Sequence, residues 1–257
     1  MKKKTTYEYP LNERIRNLLR LEHLFASIIY RIKGPAEWDS RAVVHTLIEI
    51  LDYLGRIDWV VNQLETDLKC HIDNLQHWQH TPNVDTEQLT KLLNQTKTQI
   101  KQLKQMDQQL GESFSQNQLI NLVRQRSSIT GGTSLCDLPG YHYWLQKNPK
   151  QRQNDLNEWI SPLWPMYEAL NLDLYLIRNN ALVSQELAGG GIYQSKLDTN
   201  AQYQIIQISL PPEHSCYPEI KGSKQRLTIR FLEQAPIEAL PKLTEQDIHF
   251  QLGCCMI

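Results

Sequence analysis

The sequence predicts an α+β protein with a mainly helical N-terminal domain and a smaller C-terminal β-strand domain. Two observations support this fold class. Apolar residues recur at three- and four-residue steps through most of the chain, and period-two or β-branched runs replace them towards the C terminus. We therefore expect residues 10–180 to form the helical domain. Residues 1–9 and 181–257 are expected to form the β-strand domain.

The first predicted helix spans residues 11–33. Its apolar side chains fall at helical spacing: Ile15, Leu18, Leu19, Phe25, Ile28, Ile29 and Ile32. Asn12 is a suitable N-cap, because its side-chain oxygen can accept a hydrogen bond from a free N–H of the first turn. Gly34 and Pro35 should end the helix.

Two further helices are predicted from the same periodicity. The second begins at Asp39 or Ser40 and ends at Gly55. The third runs from near Asp58 to Trp78. Both contain apolar residues at three- and four-residue steps, which is typical of helices that bury one face.

Capping signals predict the fourth and fifth helices. Asp85 with Gln88 three residues later resembles a capping box, and a long helical pattern follows. Ser115 with Gln118 repeats the signal before a shorter apolar run. Five helices are thus expected in the first half of the chain.

The following segment is expected to alternate loops and helices. Residues 127–139 contain two adjacent glycines and are predicted to form a loop, and a short helix is predicted over residues 141–146. A longer helical pattern covers residues 150–178. Pro162 and Pro165 should kink or divide it, because proline lacks the backbone N–H that a helix interior needs.

The C-terminal pattern predicts a sheet. Three glycines at 189–191 interrupt the chain, and strands are predicted over residues 202–210, 226–232 and 248–252. Residues 5–9 also alternate between polar and apolar. We expect this N-terminal strand to join the C-terminal sheet.

The net charge of the chain argues against sequence-independent DNA binding. The 257 residues contain 27 Lys and Arg against 28 Asp and Glu, a net charge of -1. Such a chain lacks the global positive field by which sequence-independent DNA-binding proteins displace counterions. Nucleic-acid binding would therefore require a local basic patch.

Apolar patterning and cysteine content indicate a cytoplasmic protein. No window approaches 18 uninterrupted apolar residues, and no apolar segment follows the basic start, so we expect neither membrane insertion nor a signal peptide. Five cysteines are an odd number and a poor disulfide framework. They are interpreted as free thiols, including the adjacent Cys254 and Cys255.

Two groups of residues could be considered as metal ligands: Cys70, His71, His77 and His80, and His249, Cys254 and Cys255. Zinc sites need ligands that converge tetrahedrally, whereas adjacent residues of a helix point about 100° apart. Neither group has zinc-site spacing. No metal and no other cofactor is expected.

Cys136 is a candidate nucleophile, because Asp137 is adjacent and His142 follows six residues later. No sequence signature of a hydrolase surrounds it, and spacing alone supplies neither an activating base nor an oxyanion hole. We expect Cys136 to be a buried small apolar residue. A cysteine- or metal-dependent enzyme is an alternative function.

The N-terminal region is locally basic. Residues 1–33 carry eight cations against three carboxylates, a local net charge of +5: Lys2, Lys3, Lys4, Arg14, Arg16, Arg20, Arg31 and Lys33, against Glu8, Glu13 and Glu22. Arg124 and Arg126 would add to this surface if their helices pack side by side. It could be a solvated helix face, a groove for an acidic or mixed-charge peptide, or a nucleic-acid-binding patch without a recognised motif.

Several short segments form a characteristic series along nearly the whole chain: Tyr7–Glu13, Leu19–Arg20, Leu122–Arg126, Gly131–Gly132, Asp137–Pro139, His142–Leu145, Gly191–Gln194, Tyr217–Pro218 with Ile220 and Gly222, Arg230–Phe231 and Cys254–Cys255. In this order they resemble the ZapD family of bacterial cell-division proteins, which associate with FtsZ.

The resemblance implies a homodimer without a cofactor that is not an enzyme. Such a protein is expected to bind the C-terminal peptide of FtsZ and to bundle FtsZ filaments at the Z-ring. The family's basic surface on the helical domain corresponds here to Arg20 and His142. A third position, which is basic in some relatives, is Gln118 here. Arg16, Arg124 and Arg126 are the further candidates for FtsZ contact.

Overall fold

The computed structural model describes residues 4–53, 57–78, 85–115, 117–198, 200–212, 214–222, 225–234 and 239–257, with backbone alone at 57–58 and 107–115. The chain divides into two compact units. Residues 19–173 form one, called here the helical unit. Residues 1–18 with 174–257 form the other, called the sheet unit. The predicted boundary of the helical domain, 10–180, stays a prediction.

The α+β fold class is confirmed, with helices in the N-terminal part and antiparallel sheets in the C-terminal part. The helices are α1 Glu13–Arg31, α2 Glu37–Tyr53, α3 Ile57–Trp78, α4 Thr86–Ser115, α5 Gln118–Ser127, α6 Pro139–Leu145, α7 Pro149–Ile160 and α8 Trp164–Asn179. None of the helices in these described ranges is long and apolar enough to cross a membrane.

Two predicted N-caps are confirmed. Asn12 Oδ1 accepts a hydrogen bond from the backbone N–H of Ile15 at 2.9 Å. Asp85 Oδ1 accepts hydrogen bonds from the N–H groups of Glu87 and Gln88, at 3.0 and 3.1 Å. Both side chains therefore satisfy N–H groups that have no partner within the helix.

The predicted start of the fifth helix is wrong by two residues. Ser115 is the last residue of α4, and Asn117 caps α5 by accepting a hydrogen bond from Ile120 N–H at 3.0 Å. In the folded chain α4 extends through Ser115, so Asn117, a residue type that caps as well as serine, takes the N-cap position of α5. The predicted end of the second helix, Gly55, lies outside the described residues.

The predicted helix 150–178 is divided. A 3₁₀ turn, Ser161–Leu163, separates α7 from α8. Pro162 lies in this turn, where its missing N–H is tolerated, and Pro165 lies in the first turn of α8, where the N–H would have no helical partner. The division predicted from the prolines is confirmed.

The interior of the helical unit contains a buried histidine–aspartate pair. His71 Nε2 on α3 lies 2.9 Å from Asp173 Oδ1 on α8, and both side chains are almost fully buried. Asp173 Oδ2 is also buried and has no hydrogen-bond partner in the described part of the chain. The pair therefore depends on a single hydrogen bond between two polar groups in an apolar interior.

Arg152 on α7 is a second buried charge in this unit. Its Nε donates to Ser40 Oγ at 3.0 Å, and its Nη1 and Nη2 donate to the carbonyls of Leu145 and Pro35 at 3.0 and 2.6 Å. Nη1 also donates to the carbonyl of Lys147. One guanidinium thus links the start of α2, the end of α6 and α7.

The sheet unit contains two antiparallel sheets. Sheet A has the order β1-β4-β8-β2, and sheet B has the order β3-β6-β5 with β7 paired to β6. The strands are β1 Thr5–Pro10, β2 Ala181–Ala188, β3 Ile192–Lys196, β4 Tyr203–Leu210, β5 Cys216–Gly222, β6 Arg226–Glu233, β7 Lys242–Leu243 and β8 Ile248–Met256. β1 pairs with β4 from Thr5 opposite Leu210 to Pro10 opposite Ile205. The prediction that the N-terminal strand joins the sheet is confirmed.

Strands β2, β3 and β5 are not apparent from the sequence pattern. β2 is exposed at most of its positions, β3 has only five residues, and β5 contains Pro218. The turn between β2 and β3 uses Gly190 and Gly191 at φ of 54° and 73°, a backbone conformation that glycine adopts without steric cost.

The core of the sheet unit lies between the two sheets. Ile208, Phe250 and Leu252 of sheet A form one cluster with Leu227, Ile229 and Phe231 of sheet B, and the Phe231 and Phe250 rings are 5.1 Å apart. Successive side chains of a strand point to opposite faces of its sheet. The residues between the core positions of sheet B therefore form its outer face.

A half-buried ion pair joins β1 to α8 within the sheet unit. Arg178 Nε and Nη2 donate to the two carboxylate oxygens of Glu8 at 2.8 and 2.7 Å, and Gln207 Nε2 donates to Oε1 at 2.9 Å. Burial alone would raise the pKa of Glu8, but these hydrogen bonds lower the pKa below its ordinary value.

Candidate functional site

Arg20 lies exposed on α1, in the helical unit. Within the described residues it forms no side-chain hydrogen bond and no ion pair, so its guanidinium is available to a partner. The other candidates of this unit are Arg124 and Arg126 on α5 and His142 on α6. That they form one site with Arg20 stays a prediction.

Arg124 and Arg126 occupy different environments on α5. Arg124 Nε donates to Asp52 Oδ1 at 2.6 Å, at the wall of a groove of about 650 Å³ between α2 and α5. Glu49 also lines this groove. Much of the charge of Arg124 is therefore balanced within the protein. Arg126 is exposed, and no ion pair of Arg126 occurs in the described ranges.

His142 lies half-buried on α6, which packs against α5. Its Nδ1 atom is buried and has no hydrogen-bond partner in the part of the chain that the structure describes. Gln118, at the start of α5, is exposed. Gln118, Arg124 and Arg126 on α5 and His142 on α6 thus lie on two helices that pack against each other.

Arg16 belongs to the sheet unit. Its Nε donates to Glu13 at 3.0 Å, and its guanidinium carbon lies 5.9 Å from the centre of the Tyr9 ring. Tyr9 lies in β1. Arg16 is therefore held near the sheets by an ion pair and a cation–π contact.

Sheet B presents a basic outer face, which consists of Lys196, Lys221, Arg226 and Arg230 with Glu219. Register places Lys196 opposite Arg226 across β3 and β6, and Glu219 opposite Arg230 across β6 and β5. The core contains Leu227, Ile229 and Phe231, so the arginines of β6 point outward. All four cations are exposed.

Glu219 is the carboxylate at the outward-pointing positions of the described strands of this face. Its Oε2 lies 3.4 Å from Arg230 Nη1 and 3.8 Å from Lys221 Nζ, distances typical of weak exposed ion pairs. At these described positions the cations outnumber the carboxylates. The basic outer face is therefore suited to a negatively charged ligand.

The sequence-based hypothesis kept the sheet around Arg226 and Arg230 only as the place to search if the helical surface fails, although one signal for this face exists. Arg226, Thr228 and Arg230 alternate with the apolar Leu227 and Ile229, so period-two analysis places both arginines on one exposed face. The contributions of Lys196 and Lys221 come from strands β3 and β5, which the sequence pattern did not reveal.

The expectation that Cys136 is buried is wrong. Its thiol is exposed, with Sγ 3.1 Å from Ser134 Oγ and 3.9 Å from the Asp137 carboxylate. The loop 128–138 is closed by backbone hydrogen bonds between near neighbours and leaves the side chain outside the core. No hydrogen bond between Cys136 and His142 occurs within the described residues.

The possible metal ligands do not converge. Among the described residues, no group of three or more His, Cys, Asp and Glu side chains is arranged to hold a metal ion. His71 instead pairs with Asp173, and His80 lies outside the described residues. All five cysteines are free, and burial raises the pKa of Cys255 to about 12, which keeps its thiol neutral.

Comparison with known proteins identifies similar chains. The family model ZapD, described as a cell division protein, matches residues 19–230. A cell division protein ZapD from Methylococcus capsulatus is 37% identical over 257 residues, which cover both chains completely. A protein of the same name from Aromatoleum aromaticum is 36% identical over 252 residues, covering 98% of this chain and 97% of the relative.

A third relative, the cell division protein ZapD of Chromobacterium violaceum, is 32% identical over 250 residues, covering 97% of this chain and 98% of the relative. These relatives are named as cell division proteins and not as enzymes. The matches extend across both the helical unit and the sheet unit. The resemblance inferred from the sequence is confirmed: the chain belongs to the ZapD family of cell division proteins.

Proposed function

We propose that this protein binds the C-terminal peptide of FtsZ and, as a homodimer, crosslinks and bundles FtsZ filaments. It acts in the cytoplasm at the division site and stabilises the Z-ring. Family membership supports the cell-division role. The observation that carries the binding proposal is the basic outer face of sheet B, where the register of three strands places the exposed Lys196, Lys221, Arg226 and Arg230 on one side of the sheet.

Bundling follows from valence and needs no catalytic step. One tail bound to one protomer is a weak contact, whereas a dimer that offers two sites to tails on a polymer gains from a high effective concentration. Sedimentation equilibrium at micromolar concentration should therefore give about twice the chain mass of 30.1 kDa. A strict monomer that still bundles filaments would contradict this mechanism.

Two surfaces are candidates for the tail contact. We propose the basic outer face of sheet B as the main site, because the register of sheet B brings its cations together on one exposed face. The helical unit offers Arg20, which is exposed and makes no described ion pair. In this unit we propose that Arg20, His142, Arg124 and Arg126 contribute less, since Arg124 already pairs with Asp52.

Charge-reversal variants show which of the two surfaces binds the FtsZ tail. Titration of a labelled FtsZ C-terminal peptide should show at least hundredfold weaker binding for Arg226→Glu with Arg230→Glu, because two attractive contacts become repulsive. Arg20→Asp should weaken binding about tenfold. The matched control is Lys97→Glu with Lys101→Glu on α4, which reverses two exposed cations one turn apart and should leave the affinity unchanged.

Light scattering of FtsZ polymers, with and without the FtsZ tail, measures bundling by the same variants. Bundling should require both the tail and the cations of sheet B. If the sheet B variant bundles as wild type and Arg20→Asp does not, the site lies on the helical unit. If both variants bundle as wild type at low salt, the electrostatic mechanism is wrong.

Nucleic-acid binding is the alternative function that a basic surface allows. A net charge of -1 and four clustered cations give few phosphate contacts, so we expect no mobility shift of duplex DNA at about 0.15 M salt. A clear shift that the Arg226→Glu and Arg230→Glu changes abolish would favour this alternative.

A further inference from the structure

Strand β2 forms one edge of sheet A. It pairs with β8 along one side, from Ala181 opposite Cys255 to Ala188 opposite Ile248, and within the described residues no strand pairs with its other side. With eight residues it is the longest edge strand of the two described sheets. The N–H and C=O groups along its free side therefore form a row that a further strand could continue.

β2 lacks the features by which natural proteins keep an edge strand from pairing with another chain. Lysine, proline and bulges serve this purpose. The edge strands β1, β3 and β5 contain Lys or Pro, namely Pro10 in β1, Lys196 in β3, and Pro218 and Lys221 in β5. β2 contains neither residue type, and its register with β8 continues without a bulge. This edge is therefore suited to receive a partner strand.

Apolar side chains are exposed on both faces of β2. Leu182 and Val183 are each 58% exposed, and Leu187 is 48% exposed. Ala188 lies in the core between the two sheets, so strand alternation places Leu182 on the core face of sheet A. Val183 and Leu187 lie on the opposite, outer face. A strand added beside β2 would cover apolar surface on both faces of the sheet.

The charge of β2 argues against a strongly charged occupant. Glu186 is the one ionisable residue of the strand, and it is half-buried. Its Oε1 accepts a hydrogen bond from Ser184 Oγ at 2.6 Å. The complementary strand is therefore nearly uncharged, with apolar side chains on both faces and a polar neighbour for Glu186. A second copy of β2 has this composition.

Two-fold symmetry restricts the register in which two β2 strands can pair. In a continuous antiparallel sheet the axis is perpendicular to the sheet, so core face meets core face and one residue lies opposite its own copy. Centring the pair on Glu186 would place two carboxylates directly opposite each other, which is destabilising. Centring it on Ser184 would place Leu182 opposite Glu186. Centres nearer either end of the strand pair fewer residues.

Centring the pair on Gln185 avoids these conflicts. On the outer face, Val183 then lies opposite Leu187 of the second copy on both sides of the axis. On the core face, Glu186 lies opposite Ser184, whose hydroxyl is a hydrogen-bond donor. At the axis the two Gln185 amides lie opposite each other, and each amide both donates and accepts hydrogen bonds. The strand is therefore complementary to itself in this register.

We propose that β2 pairs antiparallel with β2 of a second copy of this chain, with Gln185 at the two-fold axis. The inference rests on the proposed function, which requires a homodimer. The pairing joins two four-stranded sheets into one continuous sheet. Because the axis is perpendicular to that sheet, sheet B of each copy lies on the same side of it. The dimer therefore presents its two basic outer faces, the proposed FtsZ tail sites, in one direction.

Gln185→Lys tests the pairing, because it places two ammonium groups opposite each other at the axis. Gln185 is exposed, so the change should leave the fold of the protomer intact. Sedimentation equilibrium over a concentration series should give a dimer dissociation constant about tenfold higher than that of wild type, or more. The matched control is Gln194→Lys, the same change at an exposed position of edge strand β3. It should dimerise as wild type.

A second variant tests the register. Gln185→Glu places two carboxylates at the axis and should also weaken the dimer. An equimolar mixture of Gln185→Lys and Gln185→Glu places an ammonium group opposite a carboxylate, so it should recover a dissociation constant close to that of wild type. Structural damage to the protomer would not be reversed by mixing. Circular dichroism and melting temperature identify any variant that has lost its structure.

The same variant separates dimerisation from tail binding. Gln185→Lys should bind the labelled FtsZ C-terminal peptide with wild-type affinity per chain, because Gln185 lies outside the basic outer face of sheet B. It should lose most of the bundling that light scattering measures, since a monomer offers one site to the polymer-borne tails. Mixing with Gln185→Glu should restore bundling together with the dimer.

The outcomes distinguish this inference from the proposed function. If wild type is a monomer at micromolar concentration, the homodimer of the proposed function fails and the β2 pairing fails with it. If wild type is a dimer and folded Gln185→Lys dimerises equally well, the β2 pairing alone is overturned. A loss of the dimer that mixing does not reverse would also overturn it. An unchanged dimer with lost binding of the FtsZ peptide would show that this edge receives a peptide instead.

Discussion

The helical unit and the sheet unit handle charged residues in opposite ways. The helical unit buries polar and charged groups, as at Arg152, which donates four hydrogen bonds, and at the His71–Asp173 pair, which shares one. The sheet unit instead carries exposed cations on the outer face of sheet B. Buried groups of the first kind support the fold, whereas exposed cations of the second kind can be reached by a partner.

This comparison predicts that substitution of Arg152 causes the largest loss of stability. Arg152→Met keeps the length of the side chain but removes the donors to Ser40 and to three backbone carbonyls. Buried acceptors without partners should cost about 4 kcal/mol in total. Chemical denaturation measures this loss. Arg41→Met, a half-buried arginine of α2, is the control and should cost clearly less. An equal loss in both would contradict the role assigned to Arg152.

The buried His71–Asp173 pair gives the second prediction. Asp173→Ala leaves His71 buried without its hydrogen-bond partner and should lower the free energy of unfolding by about 3 kcal/mol. Asp173→Asn retains an oxygen acceptor and a similar volume, so it should lose less. Denaturant titration of both variants measures the difference. A loss below about 1 kcal/mol in Asp173→Ala would show that the pair contributes little to the fold.

The half-buried Glu8–Arg178 pair of the sheet unit should have an intermediate effect. Glu8→Gln weakens three charge-assisted hydrogen bonds and should cost about 2 kcal/mol at neutral pH. The native pKa of Glu8 lies below its ordinary value of 4.5. Its contribution is therefore complete above pH 4.5 and is lost as the pH falls through the lower native pKa.

Denaturation at several pH values tests the sign of this effect. The difference in stability between wild type and Glu8→Gln should be constant near neutrality and should shrink as the solution becomes more acidic than pH 4.5. A difference that grows with acidification would show that the carboxylate is not stabilised by its neighbours. Glu13→Gln, which removes the exposed pair with Arg16, is the control and should change little.

The basic outer face should give the smallest effect on stability. Lys196 is directly opposite Arg226, and like charges at such positions repel each other. Lys196→Gln should therefore leave stability unchanged or raise it by up to about 0.5 kcal/mol, while it weakens binding of the FtsZ peptide. Thermal melting and peptide titration of one preparation measure both quantities. A loss of stability together with a loss of binding would indicate a structural role instead.

The sequence by itself determined the fold class, the caps at Asn12 and Asp85, the break near Pro162, the N-terminal strand and the family. These features depend on local chemistry: apolar periodicity, a side-chain oxygen near free N–H groups, and a missing N–H. The choice of Asn117 over Ser115 needed the packed structure, because both residues are competent caps. Local sequence signals therefore predict a structural element correctly where only one local conformation is compatible with them.

The tertiary structure alone decided which cations share a surface. Lys196, Lys221, Arg226 and Arg230 come from three strands, and only the register of sheet B places them together. The exposure of Cys136 and the pairing of Arg124 with Asp52 likewise depend on contacts that span loops or many residues. A single sequence does not show which distant strands pair or in which register. The cations that will share a face can therefore not be identified until the strands that carry them are aligned.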